Sequence, residues 1–249
     1  MTPVLTVFPT NQKSVEFQMA LDEAVFQSVT HSPFKAPILR FYEFHEPSVT
    51  IGFGQRNLDA LPMTHLPWTR RLTGGGFVRH DNDLVLSFVC PIDLHSDFKT
   101  PKSAYLSIHQ VLWNAFQDFG VETMLYGGCK EADYSPEHML CFERPICDDI
   151  ILNHRKIAGG AQRRSGDYFL HQESIDFSVL KDKGVLRADF EKEVILQFEK
   201  AFHLQSVSLP FEESLIQLAG KLTDNKYRSE SWKLKGHQPH SKKEVILHG

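Results

Sequence analysis

The segment DDIILNHRKIAGGAQRRSGDYFLHQESIDF, residues 148–177, does most to limit what this chain can fold into. It reads as three strand-like runs separated by Asn153-His154 and by Ser165-Gly166-Asp167, residues that accept the tight backbone of hairpin turns. Connections this short join antiparallel neighbours, because a parallel crossover needs roughly a dozen residues or more. Upstream, ILRFYEF (38–44) and SVTIGF (48–53) are also strand-like, the second alternating through Val49, Ile51 and Phe53. Glu46-Pro47 between them predicts a further hairpin. In 84–90, Leu84, Leu86, Phe88 and Cys90 share one face while Ser87 points the other way, giving a strand ended by Pro91.

Helices are expected at four places. Residues 12–29 lack Gly and Pro, and Ser14 is placed to cap them. Residues 102–119 carry Ala104, Ile108, Val111, Leu112, Ala115, Phe116 and Phe119 on one stripe, with Thr100 as cap, Pro101 in the first turn and Gly120 as the stop. From 188 onward Phe190, Val194, Phe198 and Phe202 recur every fourth residue, and a shorter helix follows at 211–222. Meandering strands with a few helices and no regular βαβ alternation define an α+β fold, a mixed, largely antiparallel sheet flanked by helices. The expected organisation is one catalytic domain over 1–222. The polar stretch 223–249 shows no core face and is expected as an extension that packs on the domain or stays partly disordered.

A net charge of −4 makes the chain neither a basic platform for nucleic acid nor a polybasic membrane binder. It has no apolar run of about 18 residues and no leader-like start, so a soluble cytoplasmic protein is expected. Cys90, Cys129, Cys141 and Cys147 are read as free thiols, catalytic residues or ligands rather than disulfides. His138 and His154 flank the last cysteines, but the spacings are wide and lack a Cys-x-x-Cys pair, so no metal is expected.

Two glycine clusters carry the candidate chemistry. In RRLTGGGFVRHD (70–81), Gly74, Gly75 and Gly76 fit a plain turn between strands, and equally a loop whose bare N–H groups cradle an anion or a carboxyl-derived group. Arg70, Arg71, Arg79 and His80 gather around it. Each arginine alone fits a solvated strand edge; together they are candidates for charge-assisted bonds to carboxylate or phosphate. In RKIAGGAQRR (155–164), Lys156 precedes Gly159 and Gly160. A strand lysine is commonly a solvated edge residue. Beside a second glycine pair it would instead be a fixed cation that stabilises charge developing on an acyl carbonyl or phosphate. His171 alternates with Phe169, either as a hydrogen-bonded structural residue or as part of the site.

RRLTGGGFVRHD, KIAGGAQRR and LHQESI together resemble the three signature blocks of the lipoate-protein ligase and octanoyltransferase superfamily, which shares its catalytic domain with biotin–protein ligases. MALDEAVF (19–26) and LRFYEFHEPSVTIGFGQ (39–55) are similar to its N-terminal helix and first hairpin, and KYRSESWKL (226–234) to its closing Tyr-x-x-x-x-Trp segment. The resemblance implies a tunnel for a medium-length acyl chain, with the glycine triplet and the lysine at the reacting end. Cys141-Phe142 and Pro145 resemble the Cys-Phe-x-x-Pro block of the cysteine-type branch, which takes the chain from a carrier protein and holds it as a thioester.

On that resemblance Cys141 is the nucleophile and Lys156 the electrostatic stabiliser, and no cofactor is needed. Arg70, Arg71, Gly74, Gly75, Gly76, His80, Gly159, Gly160 and His171 bind the substrate. The implied product is an octanoyl or lipoyl amide on a lysine of a lipoyl-carrier domain, such as the glycine cleavage H protein or a 2-oxoacid dehydrogenase E2 subunit, with acyl carrier protein as a possible donor. Two features also resemble the ATP-dependent ligases, which form an acyl-adenylate. They are the complete triplet followed by FVRHD, and CDDI in place of Asn-Asp-Ile, where Asp148 and Asp149 could serve magnesium. That alternative requires ATP and Mg. Glu173 stands where the family commonly has glycine and is expected to narrow the pocket or to meet Lys156; a non-catalytic acyl-binding relative is the third reading.

Overall fold

The computed structural model describes residues 2–30, 36–56, 58, 65–127 and 145–235. In chain order these form β1 (Val4–Lys13), α1 (Val15–Thr30), β2 (Ile38–Phe44), β3 (Ser48–Ile51), β4 (Trp68–Arg70), β5 (Phe77–His80), β6 (Asp83–Pro91) and α2 (Pro101–Asp118). There follow β7 (Met124–Leu125), β8 (Ile150–Leu152), β9 (Arg155–Ser165), β10 (Tyr168–Asp176), the single turn α3 (Ser178–Lys181), α4 (Arg187–Phe202) and β11 (Gln205–Ser208). The described chain closes with α5 (Glu213–Leu222), a π-helical turn (Thr223–Tyr227) and α6 (Glu230–Lys235).

The turns predicted at 153–154 and 165–167 set the topology. Asn153 and His154 both take positive φ, 50° and 64°, which closes β8 onto β9. Gly166, at φ 53°, closes β9 onto β10. β10 then pairs antiparallel with β6 from Tyr168↔Pro91 to Asp176↔Asp83. Among the described residues the large sheet runs β11-β1-β2-β6-β10-β9-β8-β7, parallel only where β1 meets β11 and β2. The predicted hairpin of 38–44 with 48–53 does not form. β2 joins the large sheet between β1 and β6, whereas β3 is the centre of a second sheet, β4-β3-β5. The cause is burial: Val49, Ile51 and Phe77 make a small core of their own with Trp68, which draws β3 onto β5.

Alternation along β6 sends Leu84, Leu86 and Phe88 into a core with Phe116 of α2 and Phe190 and Phe198 of α4. Val85 and Val89 face α1 and α5, beside Met19, Val25, Leu170 and Leu215. A strand buried on both faces reads as a near-continuous apolar run, which is what 84–90 shows. Each such large side chain contributes roughly 1.5–3 kcal/mol when fully buried. The helix signals at 100–120 are all used: Thr100 Oγ1 accepts from the Ser103 N–H (3.1 Å), and Gly120 ends the helix at φ 66°.

Two expectations need correction. The stretch from 223 does have a core face: Tyr227 and Trp232 are buried, and Lys226 and Tyr227 bond Glu23 of α1, each at 2.8 Å. Cys147 is disulfide-bonded, against the expectation of free thiols, while Cys90 is free and buried. Among the described residues no helix is long and apolar enough to cross a membrane.

Candidate active site

The glycine loop, 71–76, links β4 to β5 and lies against the residues that follow β3. Gly75 adopts φ 86°, a conformation that L side chains rarely take. What comes close to it is the chain's own backbone, since a Cβ on Gly52 would lie 1.8 Å from the Gly75 carbonyl oxygen. The Gly52 N–H donates to Gly76 O (3.1 Å) and the Phe53 N–H to Thr73 O (2.8 Å). Gly74 differs, because a Cβ there would meet open space.

The basic residues of this loop point inward. Arg70 is 1% exposed, and its guanidinium donates to the carbonyls of Gly52, Phe53, Gln55, Trp232 and Lys233. Expected as an anion ligand, it instead ties the β3 loop to α6. Burial, then the neighbouring Arg71 charge, brings its pKa down to about 10. Arg71 donates to Gly74 O (2.6 Å) and to Thr50 O, holding the loop from within. His80 bonds Thr50 Oγ1 (2.8 Å) and Asp83 Oδ2 (2.6 Å), so both ring nitrogens have partners in the protein. Arg79 is exposed and pairs with Asp81.

The second glycine pair is shaped by side chains. Lys156, 6% exposed, lies over Gly159, where a Cβ would come within 2.2 Å of its Nζ. Its ammonium is 2.8 Å from Asp149 Oδ2, which also accepts the Ile146 N–H (2.7 Å). Asp149 Oδ1 accepts the Tyr105 hydroxyl, and that hydroxyl oxygen accepts the Gly160 N–H (3.2 Å). Burial, then the charges of Asp149 and Glu173, push the Tyr105 phenol well above its usual range, so it acts as a donor. Asp148 and Asp149 are not a matched carboxylate pair. Asp148, at φ 68°, gives its carbonyl to His109 Nδ1–H (2.6 Å).

Glu173 meets neither Lys156 nor solvent. Its Oε2 lies 2.9 Å from Nε2 of His109 and 2.9 Å from Nε2 of His171, all three residues being fully or almost fully buried. Gly160 makes room for it, since a Cβ there would sit 2.2 Å from that oxygen. Burial pushes the Glu173 carboxyl up, but His109 beside it and the bonds from both histidines outweigh this and hold it at about 2. His109 is lowered by burial yet raised further by Glu173, whereas for His171 burial prevails and lowers it.

The two regions meet through β10. Thr73 Oγ1 donates to Gln172 Oε1 (2.7 Å), and Gln172 Nε2 donates to Asp22 Oδ2 (2.6 Å). Asp22 also accepts from Arg40, Tyr42 and Ser87, which makes it a buried node between α1 and three strands of the large sheet. Sequence reading missed Asp22, Tyr105 and His109; their signal was a polar side chain next to the apolar stripe of its helix, beside Leu21 on α1 and beside Ala104 and Ile108 on α2. A cavity of about 570 Å³ is lined by residues of β1, α1 and α5 with Ser14, Phe211 and Arg228, and none comes from the glycine loop or β9. Cys141 lies outside the described residues.

A mixed sheet in which β10 joins the glycine loop, through Thr73 and Gln172, to the strand that bears a buried lysine over a glycine pair fits a lipoate-ligase-type catalytic domain. The chain belongs to the lipoyl protein ligase A/B catalytic domain family, whose model matches residues 14–191. It is 35% identical to the octanoyltransferase LipM of Bacillus cereus over 183 residues, covering 69% of this chain and 65% of that protein. It therefore spans slightly under two thirds of that relative's length. Against the octanoyltransferase LipM of Staphylococcus epidermidis it is 28% identical over 274 residues, covering 93% of this chain and 99% of the relative. The solved archaeal lipoylation system of Thermoplasma acidophilum, a bi-partite lipoate protein ligase and its E2 lipoyl domain, matches with TM-score 0.69. That match has 21% identity and covers 99% of this chain and 100% of that one, so it speaks for the fold.

Proposed function

We propose that this protein is an acyltransferase that moves an octanoyl or lipoyl chain onto a lysine of a lipoyl-carrier domain through a cysteine thioester. The observation that carries the reading is the Lys156 ammonium, held by Asp149 over the bare Gly159 in a chain of this family. In the first step the Cys141 thiolate attacks the carbonyl of an acyl thioester such as octanoyl carrier protein. The acyl–enzyme thioester forms, the bond to the carrier sulfur breaks, and that sulfur leaves as a thiolate and takes up the proton that Cys141 gave up. In the second, the acceptor lysine amine attacks the enzyme thioester. The tetrahedral oxyanion collapses to an amide, and the amine proton passes to the departing Cys141 sulfur. Lys156 supplies positive charge for both oxyanions, and the backbone at Gly74, open on its free side, orients the carbonyl end. The names of the curated relatives support transfer over ligation.

The test is intact mass spectrometry after incubation with octanoyl carrier protein. An octanoyl adduct that Cys141→Ser abolishes is expected, followed by transfer to a lipoyl domain. Pyrophosphate exchange with lipoate and ATP that survives Cys141→Ser would instead identify a ligase. Acyl binding with neither reaction would identify a non-catalytic relative.

A further inference from the structure

The transfer chemistry makes no use of the cluster behind Lys156. His109 on α2 and His171 and Glu173 on β10 each offer one ligand atom, all within 4.8 Å of one another and all buried. We propose that these three residues form a closed structural site for one divalent transition-metal ion of the zinc class, joining α2 to β10. The site does not depend on the acyl-transfer reading. The absence of metal expected from sequence rested on cysteine spacing, and no cysteine takes part here.

Orientation is the first argument. The Asp148 carbonyl accepts but cannot donate, so His109 carries its hydrogen on Nδ1 and directs Nε2 into the cluster. A histidine with its far nitrogen anchored to a backbone carbonyl is the usual setting of a metal-ligating imidazole.

Two orphaned acceptors supply the second argument. Among the described residues, Glu173 Oε1 and Gln162 Oε1 are both buried and have no hydrogen-bond partner. Gln162 Nε2 faces His171 Nδ1 at 3.4 Å, and the oxygen and nitrogen of such an amide are interchangeable by a half-turn. With the amide turned, Gln162 Oε1 accepts an Nδ1–H from His171, and His171 Nε2 is freed as a ligand. An ion between the two Nε2 atoms also takes Glu173 Oε1 as a second carboxylate oxygen. The ion thus satisfies the Glu173 orphan, and the turned amide gives Gln162 Oε1 a donor in the His171 Nδ1–H. The Nε2 hydrogen of His109 is released to solvent, and that of His171 is replaced by the one on Nδ1.

Size and chemistry agree. Two imidazoles and a carboxylate are a zinc donor set. Each Nε2–Oε2 pair, now 2.9 Å apart, would open to roughly 3.3 Å around tetrahedral zinc with bonds near 2.0–2.1 Å, and the three ligand atoms all lie within 4.8 Å of one another. Gly160 gives the carboxylate its place, because any side chain there would displace Oε2.

The full-length protein, stripped with a chelator and returned to Zn²⁺, should carry one zinc per chain by elemental analysis after gel filtration. It should also unfold at a higher temperature than the stripped form. Glu173→Gln, which keeps a partner for both histidines, should weaken zinc binding by more than the roughly 100-fold that loss of an outer partner costs, and Gln162→Ala by roughly 10- to 100-fold. If Glu173→Gln does not fold, Gln162→Ala decides. No uptake with no thermal shift overturns the site. So does uptake that the folded variants leave unchanged, since the ion would then sit on other histidines or on cysteines.

Discussion

Two glycine-rich segments of this chain look alike as text and do different physical jobs. Around Gly75 the absent side chains let backbone approach backbone: Gly52 presses on the Gly75 carbonyl and Arg71 fastens Gly74 O. On β9 the absent side chains let functional groups of the same chain lie flat on the strand, Lys156 over Gly159 and Glu173 over Gly160. The first arrangement is rigid, because neither partner can give way. The second is adjustable, because the far end of a lysine can swing aside. Glycine therefore marks a close approach in both places, and only the identity of the approaching atom tells a scaffold from a site.

The largest effect should come from removing the approaching group itself. Lys156→Ala leaves the Asp149 carboxylate buried beside Tyr105 and Ile146, and should destabilise the fold by about 3 kcal/mol in urea unfolding. The double variant with Asp149→Asn should recover much of that loss; no recovery would mean that the pair is not the source. Gly52→Ala drives a Cβ into backbone and should likewise cost about 3 kcal/mol, whereas Gly74→Ala, facing open space, should stay within about 0.5 kcal/mol. Equal losses at 52 and 74 would break the distinction.

Gly159→Ala should sharpen it. The clash falls on Lys156 Cε and Nζ, so the fold should lose only about 1 kcal/mol while octanoyl transfer falls at least about 10-fold as the ammonium is displaced. An unfolded Gly159→Ala would show β9 to be as unyielding as the glycine loop. The smallest effect is at Cys90. Burial, then Asp93, pushes its thiol well above the usual range, so it should resist maleimide at neutral pH until the protein is unfolded.

Much of this was legible in the residues. The turns at 153–154 and 165–167, the Thr100 cap and the Phe190–Phe202 stripe each depend on atoms a few positions apart, and each stands where it was read. The hairpin assigned to Glu46-Pro47 failed because its alternative is non-local: β3 gains more from Phe77, on β5, than from β2. Lys156 stands out in the sequence by its place between strand pattern and glycines, and the structure buries it over Gly159. His109 was not, because one imidazole among Ile108, Val111 and Leu112 gives no sign of a carboxylate 64 positions away.

Local propensity thus laid down the strands, the helix ends, the two glycine clusters and the α+β class, since each follows from covalent neighbours and short-range sterics. What those clusters face was settled only when the sheet closed. Register placed Glu173 opposite Gly160, helix docking brought Tyr105 and His109 against that strand, and α6 supplied the carbonyls that hold Arg70. Pairings across 44 to 203 positions depend on how whole elements pack, and no window of sequence contains the geometry that satisfies a buried charge.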